Sequence, residues 1–305
     1  MKQKEIKRKI SSIGNIFEIT KAIEVISAIK MKKAQELALN SRPFTQTALK
    51  ILKNLSRYEE EIQKRSIFFK EDKGKALLAA VVTSDKGFCG AFNRNILGFF
   101  EREIKKEKDN VEIMAIGKKA IKYFRKRDYK VLVEFSGIGD YGELEEVKPI
   151  ADLLINYFKQ GRFRKILFFY PDFISTFYQR PTKMQILPLK LIEIKKVLRN
   201  YQLKQKRGFE LSTEEKKEKT IDYILEPSFE VIFENLVPQL IEFLIYHLIL
   251  EANASEHSAR MMAMKSASEN IEKIMERLKL EENKARQTQI TSEVAEITTA
   301  KEALQ

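Results

Sequence analysis

Residue types that carry out chemistry are sparse in this chain of 305 residues, which has two histidines and one cysteine. His247 and His257 stand ten residues apart on one predicted helix. That spacing places them about 280° apart around its axis, so they do not form a metal pair. Cys89 follows an apolar run with no histidine nearby, which favours a buried structural thiol over a nucleophile. We therefore predict no catalytic site, no metal and no cofactor.

One glycine-containing segment stands where a phosphate-binding turn would be. It follows the apolar run 76–83 and reads Ser84-Asp85-Lys86-Gly87-Phe88-Cys89-Gly90. The segment lacks both the GxGxxG and the GxxxxGK[ST] spacing, so nucleotide binding is not expected. The glycines instead indicate a tight strand-to-helix turn, in which Asp85 and Lys86 line the turn or a partner contact.

Strand-like and helix-like runs alternate around that segment, a pattern typical of a mostly parallel sheet. We expect a Rossmann-like α/β domain over residues 75–190. A hairpin is expected near its end, with Arg180-Pro181 at the turn. The predicted strands are 76–83, 112–116, 130–135 and 166–170, and the predicted helices are 92–107, 118–127 and 143–158.

The first arm, residues 1–57, reads as a long helix with a pause near Pro43. Its isoleucines are separated by steps of three and four, which predicts a coiled-coil seam. They are Ile6, Ile10, Ile13, Ile16, Ile19, Ile23 and Ile26.

The last arm, residues 227–305, reads as a second long helix, with Pro238 expected to kink or open it. Its residues Met261, Met264, Ser268, Ile271, Met275 and Leu278 alternate steps of three and four, the spacing of a coiled coil. Small residues such as Ala252, Ser255 and Ala259 would allow a close helix–helix approach.

Charge also distinguishes the two arms. Residues 1–57 hold 13 lysines and arginines against 4 acids, and residues 227–305 hold 8 against 13. Opposite charge favours pairing, and arms at the two ends of one chain meet most simply as an antiparallel coiled coil. The longer last helix should then extend about 15–20 Å beyond its partner. Residues 191–226 are predicted to form a charged excursion and a foot, and low hydrophobicity marks the stretch 195–219 within them.

Composition and hydropathy argue against several classes of protein, such as secreted and membrane-spanning proteins. A single cysteine fits a reducing compartment. The longest apolar stretch, 236–250, is interrupted by polar residues and falls short of a membrane span, and the basic N-terminus lacks a secretory signal. The net charge of +13 and pI of about 9.5 leave open a basic coiled-coil protein that binds nucleic acid. A Rossmann-like enzyme is the other alternative.

Three regions of the sequence carry motifs that are informative together. The first region comprises Ile6–Ile10, Ile19–Ile23 and Lys30–Gln35, and the second is Ser84–Asn93. The third comprises Ala254–Met261, Met264-Lys265, Asn283–Gln287 and Ile290-Thr291. In this order, and over almost the full length, they resemble the gamma subunit of F-type ATP synthase.

The resemblance implies a non-catalytic rotor that couples ion-driven rotation of a c-subunit ring to the cycling of an alpha/beta hexamer. Epsilon is a further implied partner, nucleic acid is not one, and the implied location is the cytoplasmic side of the bacterial inner membrane, held there only through the complex. By motif position, Lys21 and Ile23 pass the beta-subunit lever loop, with Ile23 where methionine is common. Arg260, Arg286, Gln287 and Thr291 make polar contacts with the hexamer, while Tyr223 and Glu226 belong to the foot that meets epsilon and the c ring.

Overall fold

A computed structural model describes residues 3–40, 66–70, 76–105, 110–141, 143–190 and 229–303. It divides into two compact units. The helical unit comprises residues 1–28 and 260–305, and the central unit comprises residues 29–259. Among the described residues, no helix combines the length and apolar character needed to cross a bilayer.

Five helices and five strands make up most of the described chain, together with a short 3-10 helix at Ile67–Phe69. The helices are α1 (Gln3–Asn40), α2 (Phe92–Ile104), α3 (Lys118–Arg125), α4 (Leu144–Lys159) and α5 (Phe229–Ala303). The strands are β1 (Ala76–Val82), β2 (Val111–Ile116), β3 (Lys130–Phe135), β4 (Phe163–Ser175) and β5 (Tyr178–Leu187).

The predicted domain boundaries after residues 57, 190 and 226 and at residue 75 stay predictions. They fall within or next to residues that the structure does not describe. The expected pause at Pro43 and the charged excursion lie among those residues as well. Helix α5 continues through Pro238 without a break.

The central unit holds one sheet of order β3-β2-β1-β4-β5. The first four strands are parallel to their neighbours, and β5 pairs antiparallel with β4. Strand, helix and parallel strand therefore alternate as predicted, which confirms the Rossmann-like α/β middle.

The predicted hairpin exists, but its turn was placed wrongly. Strand β4 continues through Phe173 to Ser175, so the turn is at 176–177. The expected turn pair Arg180-Pro181 lies within β5, opposite Asp172 and Pro171. Proline is tolerated there because β5 is an edge strand, where a missing N–H costs no ladder bond.

Both faces of the sheet are covered, which explains why β1 is apolar throughout. Leu78, Ala80 and Val82 face the layer that contains α4 and the central-unit part of α5. Leu77, Ala79 and Val81 face α2 and α3. A strand that is buried on both sides loses the alternation of polar and apolar residues that marks a half-exposed one.

The helical unit is an antiparallel pair. Ser268 donates to the Thr20 hydroxyl over 3.1 Å, while Ile6 and Ala285 line one surface depression farther along the pair. The predicted seam on α5 is confirmed, because all its members are buried or half-buried and all other positions from 269 to 278 are exposed. The members are Met261, Met264, Ser268, Ile271, Met275 and Leu278. This confirms the predicted antiparallel pairing of the N- and C-terminal helices.

The predicted seam on α1 is wrong at three of its positions after Ile13, whereas Ile23 is half-buried. Ile16, Ile19 and Ile26 are 49%, 59% and 51% exposed. Successive steps of three rotate backwards around an α-helix, so Ile19 lies about 180° away from Ile10. The half-buried or buried positions instead continue through Phe17, Thr20, Glu24 and Ser27.

Candidate functional site

The helical unit exposes a row of isoleucines on α1. Ile16, Ile19 and Ile26 are about half exposed, and the half-buried Ile23 completes the 3-4-3 spacing. We call these four residues the isoleucine row. Because they stand off the helix-pair seam, they contribute little to pairing, and exposed apolar side chains in a row are typical of a surface that contacts a partner.

Lys21 lies on the surface of the same helix. Its Nζ is 3.1 Å from Glu24 Oε2, and the lysine side chain is 47% exposed. An exposed ion pair of this kind adds little to folding stability, since solvent screens it and both long side chains lose freedom. The ammonium group is therefore accessible to a partner at small energetic cost.

The end of α5 is the most exposed part of the helical unit. Every residue from 286 to 301 is exposed, including Arg286, Gln287 and Thr291. The Thr291 hydroxyl donates to the Gln287 carbonyl over 2.9 Å, within its own helix. An apolar row accompanies these polar groups, formed by Ile290, Val294 and Ile297 at 52%, 57% and 69% exposure.

The other predicted contact residues differ from this pattern. Arg260 is only 7% exposed, so its guanidinium is mostly covered in the isolated chain. Tyr223 and Glu226 lie outside the described residues. The structure thus brings Lys21 and Ile23 together on one helix, and Arg286, Gln287 and Thr291 together on another.

Asp85 connects three strand ends in the central unit. Its Oδ1 accepts from the Lys118 amide over 2.8 Å, and its Oδ2 accepts from the Gly137 amide over 2.7 Å. These amides follow β2 and β3, at the carboxyl edge where Rossmann-like sheets bind phosphate groups. Here the Asp85 carboxylate of the chain itself accepts the hydrogen bond from the first amide of α3.

Gly117 is required for this packing. Its φ is +96°, and a Cβ added there would stand 2.2 Å from the Thr83 carbonyl oxygen. The Thr83 hydroxyl in turn accepts from the Ala120 amide over 2.8 Å. Only glycine allows the chain after β2 to pass this close to the end of β1.

The turn after β1 is held by Asn93. Its Oδ1 accepts from the Ser84 amide over 3.0 Å, and its Nδ2 donates to Ser84 Oγ over 2.7 Å and to Cys89 Sγ over 3.1 Å. Cys89 is 3% exposed, which confirms the predicted buried thiol. Sequence reasoning missed the bonding roles of Asp85 and Asn93. The available signal was an aspartate directly after a strand and an asparagine in the first turn of the next helix.

Polar side chains of α5 dock it against the β4–β5 hairpin. Glu251 accepts from the Phe173 amide over 3.0 Å, while Ser255 donates to the Pro171 carbonyl over 3.1 Å and Ser258 to the Thr176 carbonyl over 2.6 Å. His247 is 6% exposed, and its Nε2 lies 3.7 Å from Glu251 Oε1. Small residues assigned to helix–helix packing thus also serve contact with the sheet.

Among the described residues, no group of three or more histidines, cysteines, aspartates and glutamates is placed to hold a metal ion. The candidate contact surface consists of the isoleucine row and Lys21 on α1 and the exposed end of α5.

The arrangement of two terminal helices in one unit and a five-stranded α/β sheet in the other defines the class of protein. A chain of the Euglena gracilis mitochondrial ATP synthase, from its OSCP/F1/c-ring assembly, is similar with a TM-score of 0.66. It is 20% identical and covers 99% of this chain and 94% of its own. A chain of the Tetrahymena thermophila central stalk/c-ring gives a TM-score of 0.59 at 21% identity, with 82% and 99% covered. The fold is that of an ATP synthase central-stalk chain.

Sequence comparison narrows this class to a family. A family model for ATP synthase matches residues 2–304. The ATP synthase gamma chain of Ruminococcus albus is 35% identical, with 97% of this chain and 96% of the relative covered, and that of Pelotomaculum thermopropionicum is 31% identical with 99% of both covered. This chain belongs to the ATP synthase gamma chain family.

Proposed function

We propose that this chain is the central-stalk rotor of an F1Fo ATP synthase and is not itself a catalyst. Family membership over the whole chain is the observation that carries this proposal. The slim helix pair with exposed apolar rows supports it further. A basic nucleic-acid-binding protein, the alternative open from composition, has no comparable support.

In this role, the helix pair stands within the alternating hexamer of alpha and beta subunits. The central unit sits on the c-subunit ring beside epsilon. Ion flow turns ring and stalk together, and the asymmetric stalk makes different contacts with each of the three catalytic sites. A rotor couples rotation to chemistry only through such differences in contact free energy between hexamer states.

The proposed contact residues divide between the two helices. Lys21 and Ile23 face the beta-subunit lever loop, and the accessible ammonium and isoleucine row suit an acidic and apolar counterpart. Arg286, Gln287 and Thr291 contact the hexamer around the end of α5, where side chains are exposed. Arg260 is proposed to contact the hexamer as well. Tyr223 and Glu226 are assigned to the foot that meets epsilon and the c ring.

The complex would carry out ATP synthesis and ion transport at the cytoplasmic side of the bacterial inner membrane. The chain would be a peripheral component there, attached through its partners alone.

Reconstitution tests this proposal. Alpha and beta subunits from the same organism are mixed with and without the full chain, and complex formation and ATP hydrolysis are measured. We expect a stable complex whose hydrolysis depends on the chain. Failure to form a complex, or hydrolysis that does not need the chain, would contradict the proposal. Salt-dependent binding to duplex DNA by the chain alone would favour the alternative, a basic protein that binds nucleic acid.

A truncation lacking residues 286–305 sharpens the same experiment. Because 286–301 are exposed in the isolated chain, their removal should weaken assembly while leaving the thermal unfolding of the central unit unchanged. Equal loss of assembly and of central-unit stability would contradict this assignment of the segment.

A further inference from the structure

A buried histidine and two charged side chains meet around loop 136–141 in the central unit. The Lys30 ammonium, on α1, donates to Asp140 Oδ2. His257 Nε2, on α5, is 3.4 Å from Asp140 Oδ1. One carboxylate in the loop thus connects to two helices that are distant in sequence, and the His257 side chain is only 3% exposed.

The backbone of the loop is held from two sides as well. Asn253 Nδ2 lies 3.2 Å from the Gly139 carbonyl oxygen and 3.3 Å from that of Asp140, and donates to both. Glu146 Oε2 accepts from the Gly139 amide over 2.9 Å. These hydrogen bonds between side chains and the loop backbone do not depend on the charge of His257. They therefore hold the loop equally at every protonation state of the histidine.

A cavity of about 240 Å³ borders the histidine and is large enough to hold several water molecules. Protons can therefore reach the imidazole without unfolding. The charged groups that line the cavity with His257 are Asp85 and Lys86 after β1, Asp140 in the loop and Glu256 on α5. With Lys30 bonded to Asp140, the carboxylate nearest to the histidine is that of Asp140, which favours the charged imidazole, whereas burial of the ring opposes it.

The charges around Asp140 act on one another. Burial by itself would raise the pKa of the Asp140 carboxyl. The hydrogen bond from Lys30 and the charges of His257, Lys30 and Lys86 outweigh burial, and the pKa of Asp140 is lowered. Asp140 is consequently ionised at neutral pH and available to attract a proton to the imidazole.

We propose that Lys30, Asp140 and His257 form a proton-dependent latch that holds loop 136–141 against α1 and α5. The latch is tight when His257 is protonated and looser when it is neutral. It adds a response to pH that the rotor role does not require.

The direction of the pH dependence follows from the linkage between loop docking and protonation of His257. A docked loop places the Asp140 carboxylate beside the imidazole, so docking favours the protonated form of His257 relative to the undocked state. Stabilisation of the docked loop by this contact is therefore present when His257 is protonated and is lost as pH rises and the imidazole gives up its proton.

Histidine NMR tests the latch directly, because the full chain contains only two histidines. Relative to the wild type, we expect the pKa of His257 to be lowered by at least about 1 unit in Asp140→Asn and raised in Lys30→Met. His257→Gln assigns the signal. His247 is the internal control and should keep its pKa in both variants, because its acidic neighbour is Glu251.

Hydrogen exchange supplies a second measurement that does not depend on the charge variants folding. Protection of the amides at 137–141, corrected for intrinsic rates, should fall as pH rises through the His257 pKa. In His257→Gln the pH dependence should disappear, and in His247→Gln it should remain. A His257 that stays neutral down to about pH 5.5 would overturn the latch. The same conclusion follows if Asp140→Asn leaves its pKa unchanged, or if protection in His257→Gln follows the wild type.

Discussion

The two units of this protein bury their side chains in different ways. In the central unit, both faces of the sheet are covered, and side chains such as Phe168 and Ile245 are fully buried. In the helical unit, one narrow seam is buried, and it includes the polar residues Thr20 and Ser268. A thick apolar core provides stability, whereas a thin seam with hydrogen bonds provides register and leaves most of the helix surface available to partners.

The largest expected effect is loss of a core ring in the central unit. Phe168→Ala removes a fully buried side chain and should lower the free energy of unfolding by about 3–5 kcal/mol. Phe177→Ala is the matched control, since that ring is 80% exposed, and it should change stability by less than about 0.5 kcal/mol. Urea unfolding followed by circular dichroism measures both. Similar losses in the two variants would contradict the contrast between core and surface.

A backbone effect in the same unit should come next. Gly117→Ala forces a Cβ against the Thr83 carbonyl at a positive φ, and we expect a loss of about 2–3 kcal/mol. Gly98→Ala, inside α2 with no atom within 4 Å of the added Cβ, should instead gain about 0.5–1 kcal/mol. The same unfolding assay separates the two, and a tolerated Gly117→Ala would mean that the strand ends can move apart.

A smaller loss is expected when the link between strand ends is removed. Asp85→Ala leaves the Lys118 and Gly137 amides without their carboxylate acceptor, and should cost about 1–3 kcal/mol. Asp85→Asn keeps one carbonyl acceptor and should lose less. Hydrogen exchange at these two amides reports the effect locally, and unchanged protection in Asp85→Ala would show that another group satisfies them.

Sequence patterns predicted the parts of the fold that depend on apolar periodicity. The α5 seam was found because its members alternate steps of three and four, as a helix pair requires. The α1 seam was misread because isoleucine, the most obvious apolar residue, steps mostly by three, while Thr20, Glu24 and Ser27 occupy the pairing positions. Polar residues in a seam carry no apolar signal, and their roles become visible only when the partner helix is in place.

The same limit applies to the candidate site. The exposure of Arg286, Gln287 and Thr291 could be anticipated from a last helix that outruns its partner. The burial of Arg260 could not, because a charged residue on a helix is normally expected at the surface. The bonds of Asp85 likewise depend on strand ends that are far apart in sequence, and no local pattern specifies which amides they meet.

The smallest expected effect tests whether the thin seam sets register. Ser268 donates to Thr20, which itself donates to the Phe17 carbonyl over 2.8 Å. Ser268→Ala and Thr20→Val should each lower the stability of the helix pair by about 1 kcal/mol. The double variant should show a coupling of about 0.5–1 kcal/mol, because either change alone already breaks the bond between them.

Exchange of amides at 10–27 and 261–285 measures this in the full chain, while amides of β1 serve as the reference that should not change. A coupling of zero would mean that apolar neighbours such as Met264 hold the pair without help from the hydrogen bond. In that case the helical unit would be stabilised in the same way as the central unit, only with less buried area, and the contrast between the two would be one of amount and not of kind.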